Sequence, residues 1–279
     1  MGAASFEGDF QMRRFSFTNR AVAENTLETI LTMTASQILK FLIAGFLGCF
    51  LISCDREVIP VDESTFGYEY FPLETGNRYT YQSDSIIFLA IEKRWDTLQS
   101  QILEVVGDTF VDIEGRKVYR IDRFFRRDES QDWRQINTWT AYRDGNMAVR
   151  TEENLSFIKL VFPVRKLLRW QGNALLDART RVEVGGSIIE PYEDWKHRIE
   201  ELGEPYAFEG QDVPALHVNL VDYTDILSKR KVFEWYGKGI GLLKREAVIV
   251  DLDGNKPSDP WDKKVQSGFI HKLTLLDVR

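Results

Sequence analysis

From Arg78 to Leu276 the chain is written in runs whose apolar residues alternate with polar ones, many of them spaced by Gly, Asn, Asp or Pro. A two-residue period sends successive side chains to opposite faces of an extended strand, so one face can be buried and the other wetted. Such runs lie at Arg78 to Leu89, Ile102 to Val106, Lys117 to Phe125, Ile136 to Arg143, Met147 to Arg150, Phe157 to Val164, Ala215 to Tyr223, Lys231 to Tyr236, Leu242 to Val250 and Gln266 to Leu276. In the third, Tyr119, Ile121 and Phe125 share one face and Arg120 and Asp122 the other. Asp144-Gly145-Asn146 between two runs is a strong hairpin signal, and Pro163 marks an edge or a strand end. Strands this numerous imply an antiparallel sheet that curls into a barrel or half-barrel to limit exposed edges. The fold class is therefore mainly β, with one or two short helices; an α+β arrangement is the alternative. The best helix candidate is Pro191 to Leu202, where Tyr192, Trp195, Ile199 and Leu202 recur at helical spacing and Gly203 follows.

The N-terminal part has a different character. Phe41 to Ser53 carries no charge and follows Lys40. At about 1.5 Å per residue a helix of that length spans roughly 20 Å, short of the roughly 30 Å of a bilayer core but ordinary for a secretory signal. It ends in Leu51-Ile52-Ser53-Cys54, then turns abruptly to Asp55-Arg56-Glu57. This resembles the lipobox of bacterial lipoproteins, with small Ser53 admitting the signal peptidase and the Cys54 thiol accepting the lipid. The resemblance implies cleavage between Ser53 and Cys54, and two or three acyl chains (palmitate or similar) on Cys54. Two chains anchor a protein essentially for good, since each buried methylene adds about 0.8 kcal/mol. The expected organisation is a dispensable extension at 1–32, a signal peptide at 33–53 starting from Met33, a flexible tether at 54–69, and one β domain at 70–279.

Three further segments carry a family resemblance. Phe71-Pro72-Leu73-Glu74-Thr75-Gly76-Asn77-Arg78-Tyr79-Thr80-Tyr81, then Leu160-Val161-Phe162-Pro163 with Trp170-Gln171-Gly172-Asn173-Ala174, and last Lys238-Gly239-Ile240-Gly241-Leu242-Leu243-Lys244-Arg245-Glu246 resemble motifs of uncharacterised Bacteroidetes-type outer-membrane lipoproteins. The resemblance implies a curved antiparallel sheet in the gram-negative envelope, anchored at the outer membrane with the leaflet undecided. It implies no activity.

Composition sets further bounds. The net charge of −7 argues against a nucleic-acid partner. Cys49 and Cys54 are the chain's two cysteines, so the domain has neither disulfide nor thiolate metal site. His197, His217 and His271 lie far apart; Asp194, His197 and Glu201 would share a face only on a helix, and a solvated polar face is the simpler reading. Gly237-Lys238-Gly239-Ile240-Gly241 is followed by a strand pattern, so it reads as a turn and not a phosphate loop. Asp251, Asp253, Asn255 and Asp259 lack the spacing of a calcium loop and read as a polar hairpin loop. No Gly-x-Ser-x-Gly motif is present. No catalytic, cofactor or metal residue is therefore assigned, and no cofactor is expected. The seven tryptophans could line a ligand cavity but are expected to fill the core. The functional expectation is a lipid-anchored, non-enzymatic binding or assembly module, holding an apolar ligand or an envelope protein. The alternative is a hydrolase of envelope or glycan substrates.

Overall fold

The computed structural model describes residues 62–279, together with Gln37 and Lys40. The expected extension, signal peptide and lipidation site, Ser53 and Cys54 included, lie outside the described residues. The chain forms β1 (Arg78–Leu89), β2 (Arg94–Val111), β3 (Lys117–Arg126), β4 (Arg134–Asp144), β5 (Met147–Glu152), β6 (Leu155–Val161) and the short β7 (Arg169–Trp170). A small hairpin, β8 (Val182–Val184) and β9 (Ser187–Ile189), precedes β10 (His197–Phe208), β11 (Gln211–Thr224), β12 (Ser228–Gly237), β13 (Gly241–Leu252) and β14 (Val265–Val278).

All but β8 and β9 join one 12-stranded sheet, in the order β6-β5-β4-β3-β2-β1-β14-β13-β12-β11-β10-β7. Two up-and-down meanders, β1 to β6 and β10 to β14, are thus zipped together where the first strand pairs with the last. Tyr81 shows the join, lying opposite Ile102 of β2 and Leu275 of β14. The sheet curls until its edges, β6 and β7, almost meet, making a nearly closed barrel. Ile158 N–H donates to the Gly172 carbonyl at 2.7 Å, and the Trp170 indole Nε1 donates to the Ile158 carbonyl at 2.8 Å. These bonds satisfy edge groups that would otherwise invite a foreign strand.

Turn chemistry follows the sequence. Gly145 takes a φ of 51° in the tight β4–β5 turn, a conformation that glycine adopts without strain. The glycine-rich segment 237–241 is the β12–β13 turn, with Gly237 opposite Gly241. Pro163 falls just beyond β6, an edge strand.

The expected helix at Pro191 to Leu202 is absent. Residues 191–194 form a turn in which the buried Trp195 Nε1 donates back to the Pro191 carbonyl at 2.8 Å. Asp194 has a left-handed φ of 57°, which ends any helical path, and β10 starts at His197. The register of β10 against β11 slips between Ile199 and Glu201 and again between Leu202 and Glu204. The first bulge leaves Ile199 and Leu202 three residues apart, off a two-residue period and at a helical spacing. Helical structure in 62–279 is limited to 3-10 turns at Glu63–Thr65, Tyr68–Tyr70 and Trp261–Lys263.

The described end of the expected tether is packed. Phe66 and Tyr68 lie against the main core, with the Tyr68 ring 4.8 Å from that of Phe162. The Tyr68 hydroxyl donates to the Gly145 carbonyl at 3.2 Å, and Gly239 N–H donates to the Glu69 carbonyl at 2.8 Å. This segment runs along the rim that carries the β4–β5 and β12–β13 turns, called here the near rim. The far rim carries the β1–β2 turn and the β13–β14 connection.

Candidate functional site

Strand alternation sends half of each strand's side chains into the lumen, and much of what fills it is apolar: Ile199, Leu216, Val218, Val232 and Ala247 are buried there. Interleaved with them is a run of charged side chains of alternating sign. Glu104 Oε1 accepts from Arg123 Nε at 3.0 Å and from Arg150 Nη2 at 2.5 Å. Arg150 Nε and Lys159 Nζ each lie 3.6 Å from Glu152 Oε1. Lys159 Nζ also donates to Glu234 Oε1 at 2.6 Å, and Arg245 Nε stands 3.5 Å from that same oxygen. The other Glu234 oxygen accepts the Tyr236 hydroxyl at 2.5 Å. The chain Arg123–Glu104–Arg150–Glu152–Lys159–Glu234–Arg245 thus crosses the lumen from the β2–β3 wall through β5 and β6 to the β12–β13 wall.

Burial alone would raise the Glu152 carboxyl; the Lys159, Arg150, Arg245 and Arg123 cations outweigh it and hold the group at about 2. Burial likewise works against an ionised Glu234, but Lys159 and Arg245, with the hydrogen bonds from Lys159 and Tyr236, keep its carboxyl below the usual range. Burial pushes the Tyr236 hydroxyl well above its ordinary value, and the Glu234 carboxylate pushes the same way. These carboxylates are therefore ionised and engaged with cations. A general acid needs the opposite environment, one that holds its proton near neutral pH.

Beneath Phe71-Pro72-Leu73 and Ile240-Gly241-Leu242 at the near rim, Tyr79, Tyr81, Glu104, Arg150, Lys159 and Tyr236 border a cavity of about 50 Å³. That volume accommodates a few water molecules. Pockets for drug-sized ligands hold roughly 300–1,000 Å³.

The histidines separate. His197 is buried in the lumen at 1% exposure, between Trp170 and Trp195 at ring distances of 5.2 and 6.0 Å, and neither ring nitrogen has a hydrogen-bond partner. Burial lowers its imidazole to about 3, so it is neutral. His271 also faces the lumen, with Nε2 3.1 Å from Ser83 Oγ; burial, then Arg245 and Arg123, lower it to about 4. His217 lies on the outer wall, stacked on Trp235 at 4.5 Å and 6°. Glu201 is bonded to Lys166 and Asp194 sits in the turn, so Asp194, His197 and Glu201 do not converge. Among the described residues no group of three or more His, Cys, Asp or Glu could hold a metal ion. Asp253 bonds the N–H of Asn255 at 3.0 Å within a polar loop, and Asp251 holds Arg230 at 2.5 Å.

The tryptophans divide between core and surface. Trp195 is 1% exposed, and Trp139 and Trp170 pack against the core. Trp133, Trp235 and Trp261 lie under cations: Arg126 at 4.3 Å, Lys244 at 4.8 Å and Lys229 at 5.2 Å.

Sequence reading missed the lumenal ions, although their signal was present. Glu104 sits between Ile102 and Val106, Arg123 between Ile121 and Phe125, Glu234 between Val232 and Tyr236, and Arg245 between Leu243 and Ala247. Each is a charged residue at an apolar position of the two-residue period.

These features define an up-and-down antiparallel β-barrel with a filled, ionic lumen. No family model and no curated protein matches the chain. Solved structures with some likeness include an inferred lipoprotein from Parabacteroides distasonis ATCC 8503, at 12% identity over 75% of this chain and 98% of that one, with a TM-score of 0.34. An inferred exported protein with a YmcC-like fold from Bacteroides fragilis NCTC 9343 gives the same identity, coverage and TM-score: 12%, 75%, 98% and 0.34. An inferred outer-membrane lipoprotein-sorting domain from Vibrio parahaemolyticus is 13% identical over 73% of this chain and 85% of that one, with a TM-score of 0.19. Likeness at this level carries no argument, and the functional reading rests on the residues of this chain.

Proposed function

We propose that this chain is an outer-membrane lipoprotein of the gram-negative envelope, held by acyl chains on Cys54, whose β domain is a non-enzymatic binding or assembly module. The observation that carries the reading is Leu51-Ile52-Ser53-Cys54 at the end of an uncharged apolar run. The thiol of Cys54 is the nucleophile that takes the lipid, and Ser53 keeps the scissile bond accessible. The ionic lumen supports the second half of the reading. Glu104, Glu152 and Glu234 are held by cations, and the cavity that Glu104, Arg150 and Lys159 border, about 50 Å³, is too small for a sugar ring or an acyl chain. Contact with an envelope protein or a ligand then falls to the rims and the outer wall.

Membrane fractionation tests the anchor. The wild-type chain should sediment with membranes and resist high salt, and Cys54→Ala should not gain lipid and should leave that fraction. Unchanged fractionation of Cys54→Ala would refute the anchoring.

A further inference from the structure

At the far rim the β1–β2 turn and the β13–β14 connection enclose a concavity of about 530 Å³, within the range of small-molecule sites. Phe88 and Trp95 form an aromatic wall, with ring centroids 5.2 Å apart at 75°. Lys93, Lys256, Lys263 and Lys264 line the concavity against the two carboxylates Asp253 and Asp262. Those carboxylates are already matched, Asp253 to Lys256 at 3.6 Å and Asp262 to Lys263 at 3.5 Å. Lys93 and Lys264 have no carboxylate within 4.0 Å and no side-chain hydrogen bond among the described residues.

Lys264 is the telling residue. Solvated loop lysines would account for Lys93, Lys256 and Lys263, which are exposed. Lys264 is only 6% exposed. Its carbonyl accepts from Asp253 N–H at 2.7 Å, which fixes its backbone beneath the loop. Its stem is thus packed while its ammonium, without an ion pair or side-chain hydrogen bond among the described residues, is left for the concavity it lines, where an oxyanion would gain a charge-assisted bond. The net charge of −7 makes this cluster of cations a local reversal of the chain's sign.

We propose that this concavity binds a small organic oxyanion, a phosphate, sulfate or carboxylate group on a flat apolar body. The ammonium groups of Lys264 and Lys93 hold the oxyanion, and Phe88 and Trp95 receive the body. The proposal deepens the binding reading above by naming a ligand class; it uses only residues within 62–279 and does not depend on acylation of Cys54.

Calorimetric titration of the full chain at low salt and neutral pH tests it. Phenyl phosphate is expected to bind with a Kd of about 1 mM or tighter, inorganic phosphate about tenfold more weakly, and neutral benzyl alcohol without saturable heat. Lys264→Met keeps the apolar stem and removes the charge, and should weaken phenyl phosphate about tenfold or more. Lys93→Gly, at an exposed turn position with a φ of 53° that suits glycine, keeps the fold and should weaken it several-fold. No saturable heat with phenyl phosphate, or full affinity in either variant, would overturn the site. Equal binding of inorganic and phenyl phosphate would overturn the role of the aromatic wall. Such failures would leave the membrane fractionation result untouched.

Discussion

Lys159 and Glu234, 75 residues apart in sequence, meet at 2.6 Å inside the barrel and join β6, an edge of the sheet, to β12 on the far side of the lumen. The contact braces the sheet where its backbone pairing is weakest. Removing one member of a buried ion pair leaves an uncompensated charge at a cost of about 3–5 kcal/mol, whereas replacing both by apolar groups is often near neutral. Glu234→Leu should therefore lower unfolding stability by about 3–5 kcal/mol in urea titrations, because Lys159 and Arg245 both lose their shared carboxylate. Lys159→Met combined with Glu234→Leu should recover at least half of that loss. A double variant as unstable as the single one would show that the pair does not brace the barrel.

Gly172 lies so close to His197 that an added Cβ would sit 1.8 Å from the ring Cε1 and 2.2 Å from either ring nitrogen. The Gly172 carbonyl also accepts the bond from Ile158 that closes the barrel edge. Gly172→Ala should cost about 1–3 kcal/mol through overpacking. In the background of His197→Ala, which removes the ring, the same change should cost less. Melting curves of the two single variants and the double variant measure this coupling, and strict additivity would contradict the packing described.

Acid should loosen the barrel well before ordinary carboxylates titrate. The His197 imidazole sits at about 3 in the folded chain against 6.5 when free, because burial disfavours its charged form. As pH falls the unfolded chain takes up this proton first, so stability is full above 6.5 and declines from there towards 3. The decline from pH 7 to pH 5 is about 2 kcal/mol for this residue. His271, lowered to about 4, acts in the same direction. Glu152, held at about 2 against 4.5, adds a lower window in which stability is lost as pH falls from 4.5 towards 2. Urea midpoints at pH 7 and pH 5 should fall accordingly in the wild type and by less in His197→Leu. Equal pH slopes would contradict the neutral, buried state of His197.

Most strands were legible because their period follows from burial of one face. The run Arg78 to Leu89 coincides with β1, and the Asp144-Gly145-Asn146 signal became the β4–β5 turn. The helix expected at Pro191 to Leu202 failed because Tyr192 and Trp195 belong to the segment before β10, and the register slip between Ile199 and Glu201 leaves Ile199 and Leu202 three residues apart, a spacing that a helix would also give. The ion chain went unseen for another reason. Its members are spread from Glu104 to Arg245, and the fold alone brings them together. Read singly, each resembles a surface residue in a strand; only its position among apolar neighbours two residues away marks it as inward-facing. The far-rim concavity left no sequence trace, since its lysines come from two loops that meet only after β1 and β14 pair.

Lipid modification at Cys54 is read without an intermediary by intact mass spectrometry of the chain extracted from membranes. The expected product is a polypeptide that begins at Cys54 and carries the added mass of a diacylglyceryl thioether and an N-acyl chain. A chain that still contains residues 41–53 and carries no lipid mass would contradict it.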